Sequence, residues 1–365
     1  MSATLTTATP VAQSLTQAAQ RRRAVWMLVL LGLVALGFVL DIALGSVRIP
    51  LPAVVDILLG QPTDTPAWEF IVRQIRLPKA LTALVVGSGL AVSGLQMQTL
   101  FRNPLAGPSA LGLTAGAGLG VAAVMLASGS VAGGFAIRAL GVAASWALVL
   151  AATTGAALVM ALVLLLSARL RDNVVMLIVG LMIASVTGAI VSLWQYFSAP
   201  EQIQDYLLWT FGSLGGVVGS HLMVLTTVVA GGLVLAFASA KSLNALLLGE
   251  NYARSMGLAV KRSRTMLILS TSLLAGAITA FCGPIGFVGI AVPHLTRGLL
   301  RTADHRVLLP GACLVGAALT LGCDCLAQLP GSQTALPINV VTSLLGAPVV
   351  LWVVLRRQNI RSSFS

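Results

Sequence analysis

Charged residues are scarce in this sequence of 365 residues: they make up 9% of the chain, whereas hydrophobic residues make up 57%. Soluble globular domains carry about 25% charged residues. The scarcity excludes an ordinary soluble domain, because runs of roughly 20 apolar residues recur along the whole length and each can cross a hydrocarbon core of about 30 Å. The sequence therefore predicts an all-α, polytopic membrane protein.

Lysine is rarer still, and its positions exclude a nucleotide-binding loop. The lysines are Lys79, Lys241 and Lys261, and none of them follows a glycine. A P-loop needs a Gly-Lys pair to hold nucleotide phosphates. We therefore expect that this chain does not hydrolyse ATP itself.

Acidic residues are almost missing from the predicted spans, where Asp41 and Asp324 lie toward the outer ends. Ion-coupled carriers usually place ionisable groups inside the membrane. This disfavours an ion-coupled secondary transporter, which remains the alternative from a different class. No Ser/His/Asp cluster and no Cys/His spacing typical of a metal site is present. We expect no enzyme activity, no metal and no cofactor, and hence a conduit that is powered by another subunit.

About ten transmembrane helices are predicted within one domain over residues 24–357. A disordered tail over 1–23 precedes this domain and a second tail over 358–365 follows it. The predicted spans are 24–45, 78–100, 108–128, 139–167, 174–197, 220–239, 264–281, 284–300, 307–328 and 335–355. Spans two to five and seven to ten have similar lengths and glycine content, which is compatible with an inverted repeat.

The formal net charge of +12 reports topology and does not indicate a nucleic-acid partner. With the N-terminus in the cytoplasm, most basic residues fall on the inner side. The basic residues left on the outer side are Arg48, Arg73, Arg76, Lys79 and Arg138. This asymmetry follows the positive-inside rule and predicts that both termini are cytoplasmic.

One apolar segment, residues 283–297, is interrupted by Gly283, Pro284, Gly286 and Gly289. An interrupted span frees backbone groups that lipid cannot satisfy, so neighbouring protein or a water-lined cavity must pair them. We expect this segment to pack along a transport pathway.

The longest predicted inner connection, 240–264, contains two short helices. An apolar stripe at helical spacing ends at Gly249, and a second helix from Glu250 to Met256 ends before Gly257. The two helices could transmit a movement from a soluble partner, or they could lie in the lipid headgroups with their basic residues toward phosphate. Periodicity alone leaves both alternatives open.

Several motifs in order resemble the permeases of ABC importers for iron–siderophore complexes, haem and cobalamin, the FecCD/BtuC-like family. They are RLPK (76–79), RNPLAGPSALGLTAGAG (102–118), WTFGSLGG (209–216), LNALLLGENYARSMG (243–257), CGPIGFVGIAVPHLTR (282–297) and LPINVVTSLLGAPVVLWVVLRR (336–357). The resemblance covers nearly the whole chain after residue 68. It implies a second permease subunit (the same chain or a related one), two cytoplasmic ATPase subunits and a soluble binding protein that delivers the ligand.

The resemblance also implies roles for particular residues. The segment 243–257 would dock into the ATPase, through Leu243, Asn244, Leu247, Gly249, Glu250, Ala253, Arg254 and Gly257. Arg76 and Lys79 would accept acidic residues of the binding protein, although Lys79 stands where arginine is usual and offers only a single-point contact. Asp172 and Asn173 would lie at the cytoplasmic gate, and the alternative for both is to cap the following helix.

Three positions depart from the pattern of that family. Gln328 stands where arginine is common, Ala335 where glutamate is frequent, and Asn339 where glycine is usual. The outer surface is therefore less charged than the resemblance would suggest.

The function implied is that of a transmembrane permease subunit in the inner membrane, which moves a ferric siderophore by alternating access while a separate subunit hydrolyses ATP. Haem and cobalamin are the alternative ligands. The apolar pathway expected from the sequence does not discriminate among them.

Overall fold

The computed structural model describes residues 10–45, 47–61, 65–126, 142–167, 173–328 and 335–362. Within these ranges the regular elements are helices, and none of the described residues forms a β-strand. This confirms the predicted all-α class.

The helices are numbered in chain order. They are α1 Pro10–Ala43, α2 Leu51–Leu58, α3 Pro66–Phe70, α4 Leu77–Leu100, α5 Leu113–Met125, α6 Val142–Ser167, α7 Asn173–Tyr196, α8 Pro200–Thr210, α9 Ser220–Ala238, α10 Ala240–Leu247, α11 Glu250–Ser255, α12 Val260–Cys282, α13 Val288–Leu300, α14 His305–Ala327 and α15 Ile338–Ser362. A π-helical stretch, Ile71–Arg76, joins α3 to α4.

Long apolar helices confirm a polytopic membrane protein. Seven helical segments in the described ranges are long and apolar enough to cross a membrane. They are Gln17–Ala43, Pro66–Leu100, Trp146–Leu166, Ile178–Tyr196, Ser220–Ala238, Val260–Cys282 and His305–Ala327. Each of the ten predicted spans coincides with a helix, but three of these helices (α5, α13 and the apolar part of α15) are shorter. The inverted repeat stays a prediction.

Helices extend into both predicted tails. Helix α1 begins at Pro10 and α15 ends at Ser362, so residues 10–23 and 358–362 are helical where tails were expected. The physical reason at the N-terminal end is composition: Ala, Gln and Arg are good helix formers and no glycine interrupts them before the apolar run.

The centre of the bundle is the pair α4 and α14, which pack against each other more extensively than any other two helices in the described ranges. Their close approach depends on glycine, because a Cβ atom on Gly87 would overlap the carbonyl oxygen of Gly316, and the reverse also holds. Ser88 Oγ donates to the carbonyl oxygen of Cys313 at 3.2 Å beside this contact. Helix α4 is buried along most of its length.

The predicted interruption lies between α12 and α13. The freed backbone groups find protein partners, since Ser213 N donates to the carbonyl oxygen of Cys282 at 3.0 Å and Gly286 N donates to Asn339 Oδ1 at 3.0 Å. Gly283 adopts φ +72° and sits against the backbone of Trp209, where a side chain would collide. The side chain of Asn339, one of the departures from the family pattern, thus accepts a hydrogen bond from a backbone N–H group that the interrupted span leaves free.

Candidate functional site

Two ends of the bundle carry the predicted functional residues. The inner end is defined by α10 and α11, and the outer end by Lys79 and Asp324; both names follow the predicted topology. The coupling segment, residues 243–257, lies at the inner end and comprises most of α10 and all of α11.

Glycines shape the coupling segment as the sequence predicts. Gly249 separates the two helices at φ +102°, and Gly257 follows the second at φ +83°. A residue with a side chain is strained at such φ values. The two stop signals are therefore confirmed.

The coupling segment has a buried face and a free face. Leu243, Gly249 and Ala253 are buried within the chain, so these residues attach the segment to the bundle. Arg254 and Gly257 are exposed, while Asn244, Leu247 and Glu250 are half-buried.

Three large exposed side chains of this segment were missed by the sequence reasoning. Leu248, Tyr252 and Met256 each expose more than half of their surface. Helical spacing relates only Tyr252 and Met256, which lie four residues apart, because Leu248 precedes the break at Gly249. Three large exposed apolar side chains in so short a segment make it a candidate interaction surface.

Polar contacts tie the coupling segment to the bundle. Arg264 of α12 forms an ion pair with Glu250 of α11. Asn244 Nδ2 donates to Asp304 Oδ1 at 2.6 Å, and Asn244 Oδ1 accepts the backbone N–H of His305 at 2.8 Å. The hydrogen bond from Asn244, followed by one from the backbone N–H of Arg306, lowers the pKa of the Asp304 carboxyl below its ordinary value.

At the outer end, an ion pair and an amide connect three helices. Lys79 Nζ lies 2.8 Å from Asp324 Oδ2, and the two side chains are 17% and 4% exposed. Gln328 Nε2 reaches Asp41 Oδ1 at 2.7 Å and Asp324 Oδ2 at 3.2 Å. Gln328, another departure from the family pattern, thus bridges two buried carboxyl groups of α1 and α14.

Arg76 is not presented as a surface cation. It is 6% exposed, and its guanidinium donates to the carbonyl oxygens of Ile42 and Ala43 at the end of α1 and of Val47 in the segment that follows. Lys79 is likewise engaged by Asp324. Docking at Arg76 and Lys79 stays a prediction that this geometry weakens, because both cations already have partners within the chain.

Arg73, which the sequence reasoning passed over, is more accessible. Its side chain is 42% exposed and pairs with the 47% exposed Glu69 at 3.3 Å, one helical turn earlier. Arg73 Nη2 also donates to the carbonyl oxygen of Ile57.

A cavity of about 390 Å³ opens beside the outer ion pair. Lys79 and Asp324 form one wall, residues 211–215 a second, and residues 335–338 a third. Ala335, the third departure from the family pattern, lies in that wall. The cavity therefore combines one charged pair with two loop segments that contain glycine and proline.

The structure describes only one of the two predicted gate residues. Asp172 lies outside the described residues, and Asn173 begins α7. The gate and the capping alternative both stay predictions. Among the described residues, no group of three His, Cys, Asp or Glu side chains is arranged to hold a metal ion.

Comparison with known proteins decides the family. The model of the FecCD transport family matches residues 33–356. The chain belongs to the FecCD transport family. It is therefore a transmembrane permease subunit of the ABC importer class, a multi-pass membrane protein and not an enzyme.

Curated relatives of this FecCD family member align with it along almost its entire length. It is 37% identical over 342 residues to the proteins named vitamin B12 import system permease protein BtuC of Salmonella paratyphi A and Salmonella typhi, covering 92% of this chain and 97% of each relative. A solved structure described as an inward-facing conformation of a metal-chelate type ABC transporter superposes with a TM-score of 0.74 at 28% identity. That match covers 90% of this chain and 98% of the other.

Proposed function

We propose that this permease moves a corrinoid of the vitamin B12 type across the bacterial inner membrane. The observation that supports this most is the 37% identity, over 92% of the chain, to permeases named for vitamin B12 import. This reverses the order expected from the sequence, which placed a ferric siderophore first. An iron chelate is the second candidate, because the similar solved structure is described as a metal-chelate type transporter.

Energy for transport would enter at the coupling segment. The exposed face of Leu248, Tyr252 and Met256 is suited to a groove on a cytoplasmic ATPase subunit, since buried aromatic anchors dominate protein interfaces. The buried residues Leu243 and Ala253 would hold the segment so that it moves with the bundle. Two ATPase subunits and a second permease subunit, identical or related, complete the proposed importer.

A binding protein would deliver the ligand at the outer end. Arg48 and Arg73 are exposed basic residues there, and a guanidinium group can offer a bidentate contact to a carboxylate. Arg76 and Lys79 would support that surface from beneath. Alternating access would open and close the pathway between the outer cavity and a gate near Asp172 and Asn173, with both termini of the chain in the cytoplasm.

Uptake by the reconstituted importer tests this function. The permease, its ATPase and its binding protein are placed in vesicles and supplied in turn with cobalamin, haem and a ferric siderophore, with and without ATP. We expect ATP-dependent uptake of cobalamin above the other two. Uptake of the siderophore alone would reject the corrinoid assignment, and uptake driven by a proton gradient without ATP would return the chain to the secondary-transporter class.

A further inference from the structure

A continuous chain of hydrogen bonds connects the coupling segment to the two central helices. Asn244 of α10 contacts His305 Nδ1 through Oδ1 at 2.8 Å, and His305 Nε2 lies 2.8 Å from Thr99 Oγ1 near the end of α4. His305 is the first residue of α14. The chain therefore joins three separate elements at one buried point, where His305 is fully buried and Thr99 nearly so.

The available protons determine which atoms donate and which accept in this series of hydrogen bonds. The amide of Asn244 has one possible orientation, because its oxygen receives the backbone N–H of His305 while its nitrogen donates to the Asp304 carboxylate. The same oxygen is an acceptor only, so His305 Nδ1 must donate to it. A fully buried ring avoids a charge when its nitrogens contact only an amide and a hydroxyl. The neutral ring then accepts at Nε2, and Thr99 supplies the hydroxyl proton.

Thr99 has a second acceptor within reach. Its hydroxyl also lies 2.9 Å from the carbonyl oxygen of Leu95 in its own helix. The single hydroxyl proton can serve one acceptor fully, so contact with His305 is made at the expense of a bond inside α4. A serine at position 99 keeps this choice, whereas a valine removes it without a large change in volume.

Helices α4 and α14, which meet at this junction of Asn244, His305 and Thr99, contact each other near both ends and in the middle. Near the junction the contact is Thr99–His305, in the middle it is Gly87 against Gly316, and at the outer end it is Lys79–Asp324. Two helices fixed at both ends and in the middle move as one unit, because closely packed interfaces shift between discrete arrangements and do not deform gradually.

We propose that Asn244, His305 and Thr99 are positioning residues that make the coupling segment move α4 and α14 as one body. Displacement of α10 by an ATPase then reaches the Lys79–Asp324 pair beside the outer cavity. This proposal rests on the proposed function, since it assumes an ATPase at the coupling segment. If these hydrogen bonds only satisfied buried polar groups, their loss would lower the stability of the protein but leave transport per ATP hydrolysed unchanged.

The transport test compares three variants in the reconstituted importer with its ATPase and binding protein. Thr99→Val removes the donor to His305, Thr99→Ser retains it, and Thr271→Val is the matched control. Thr271 is also fully buried, but within the part of the chain that the structure describes its hydroxyl bonds only to carbonyl oxygens of its own helix. Ligand transported per ATP hydrolysed is measured with cobalamin, haem and a ferric siderophore, using whichever one the wild type transports.

We expect Thr99→Val to lower the ratio of transport to hydrolysis about three- to tenfold, the effect of one lost hydrogen bond. Thr99→Ser restores the ratio and Thr271→Val leaves it unchanged. An unaltered ratio in Thr99→Val, or an equal loss in Thr271→Val, would overturn the positioning role. A wild-type chain that never associates with an ATPase would instead reject the proposed function, so the two failures are distinguishable.

A spectroscopic test examines the junction without any partner. The chain has three histidines, His221, His294 and His305, so selective ¹⁵N labelling gives few ring signals. We expect His305 to show a protonated Nδ1 and an accepting Nε2, and Thr99→Val to shift the Nε2 signal while Thr271→Val does not. A His305 spectrum with the proton on Nε2, or one unmoved by Thr99→Val, would overturn the junction itself.

Discussion

Individual side chains at the outer end decide how this membrane protein tolerates buried charge. Lys79 neutralises Asp324, and the amide of Gln328 reaches both Asp324 and Asp41. A buried ion pair adds little by itself, but removing one partner leaves an uncompensated charge. The sequence located these residues at span ends and could not pair them, because the partners are far apart along the chain and meet only after the helices pack.

Replacing Lys79 tests this reasoning. Lys79→Met keeps the length of the side chain and leaves Asp324 without a cation, so we expect a loss of about 3–5 kcal/mol in stability, seen as an earlier thermal transition in detergent. Arg73→Ala is the control, since the Arg73–Glu69 pair is exposed and is worth about 0–1 kcal/mol. Equal transitions in the two variants would contradict a buried, compensated Asp324.

The Asp304 carboxyl gives a dependence on pH. Its pKa is lowered from 3.8 mainly by the amide of Asn244, so its ionised form stabilises the fold above that ordinary value, and this contribution is lost as the pH falls through the lower folded pKa. Asp304→Asn keeps a capping oxygen but does not titrate. We expect the wild type to melt above Asp304→Asn at pH 7, with the gap closing below about pH 4. A gap that stays constant with pH would count against this role.

At the scale of elements, apolar length predicted the helices well but made no prediction of which helix faces are exposed. The predicted span 220–239 matches α9 (Ser220–Ala238) almost to the residue, and glycines marked both ends of α11. Periodicity could not show which face of the coupling segment is free, because α10 and α11 are short and each packs against different helices. The family resemblance gave coupling roles to eight residues of this segment, among them Leu243 and Ala253, which the fold buries; their roles stay predictions.

The ion pair between α11 and α12 provides a test of the coupling segment. Glu250→Lys places an ammonium group beside Arg264, so we expect the short helix to loosen and uptake to fall while ATP hydrolysis continues. The double variant Glu250→Lys with Arg264→Glu restores opposite charges and should recover uptake. If the single variant transports at the wild-type rate, the pair has no part in coupling and the lipid-surface alternative for this segment regains support.

The free face of the coupling segment makes a separate prediction about assembly. Tyr252→Asp replaces an exposed aromatic side chain of this segment with a charge, and we expect association with the ATPase to weaken about tenfold or more, as for an interface anchor. Tyr196→Asp is the matched control, because Tyr196 is also an exposed tyrosine but ends α7 far along the chain from α11. Co-purification of the ATPase with each variant gives the measurement, and equal recovery with both would place the docking surface elsewhere.

For the whole molecule, the arrangement of helices places the cavity beside Lys79 and Asp324 at one end and the coupling segment at the other, with α4 and α14 between them. The composition and the lack of a P-loop motif indicated a membrane conduit that is powered by another subunit, and the family match over residues 33–356 agrees with this. The conformational state could not be predicted, since the same apolar pattern serves an inward-facing and an outward-facing bundle. The similar solved structure is inward-facing, and the proposed alternating access requires a second arrangement.

Thiol labelling at the outer cavity tests that requirement. Ser213 is exposed in the cavity wall, and the native cysteines of the chain are buried or half-buried, so Ser213→Cys supplies a thiol that a membrane-impermeant reagent can reach. Because ATP binding shifts the population between two arrangements of the pathway, we expect the labelling rate of Ser213→Cys in the assembled importer to differ between the nucleotide-free and ATP-bound states. Leu59→Cys, exposed just after α2 and away from the cavity lining, should label at one rate in both states. Equal rates at Ser213→Cys, in an importer shown to bind ATP, would mean that the outer cavity takes no part in alternating access.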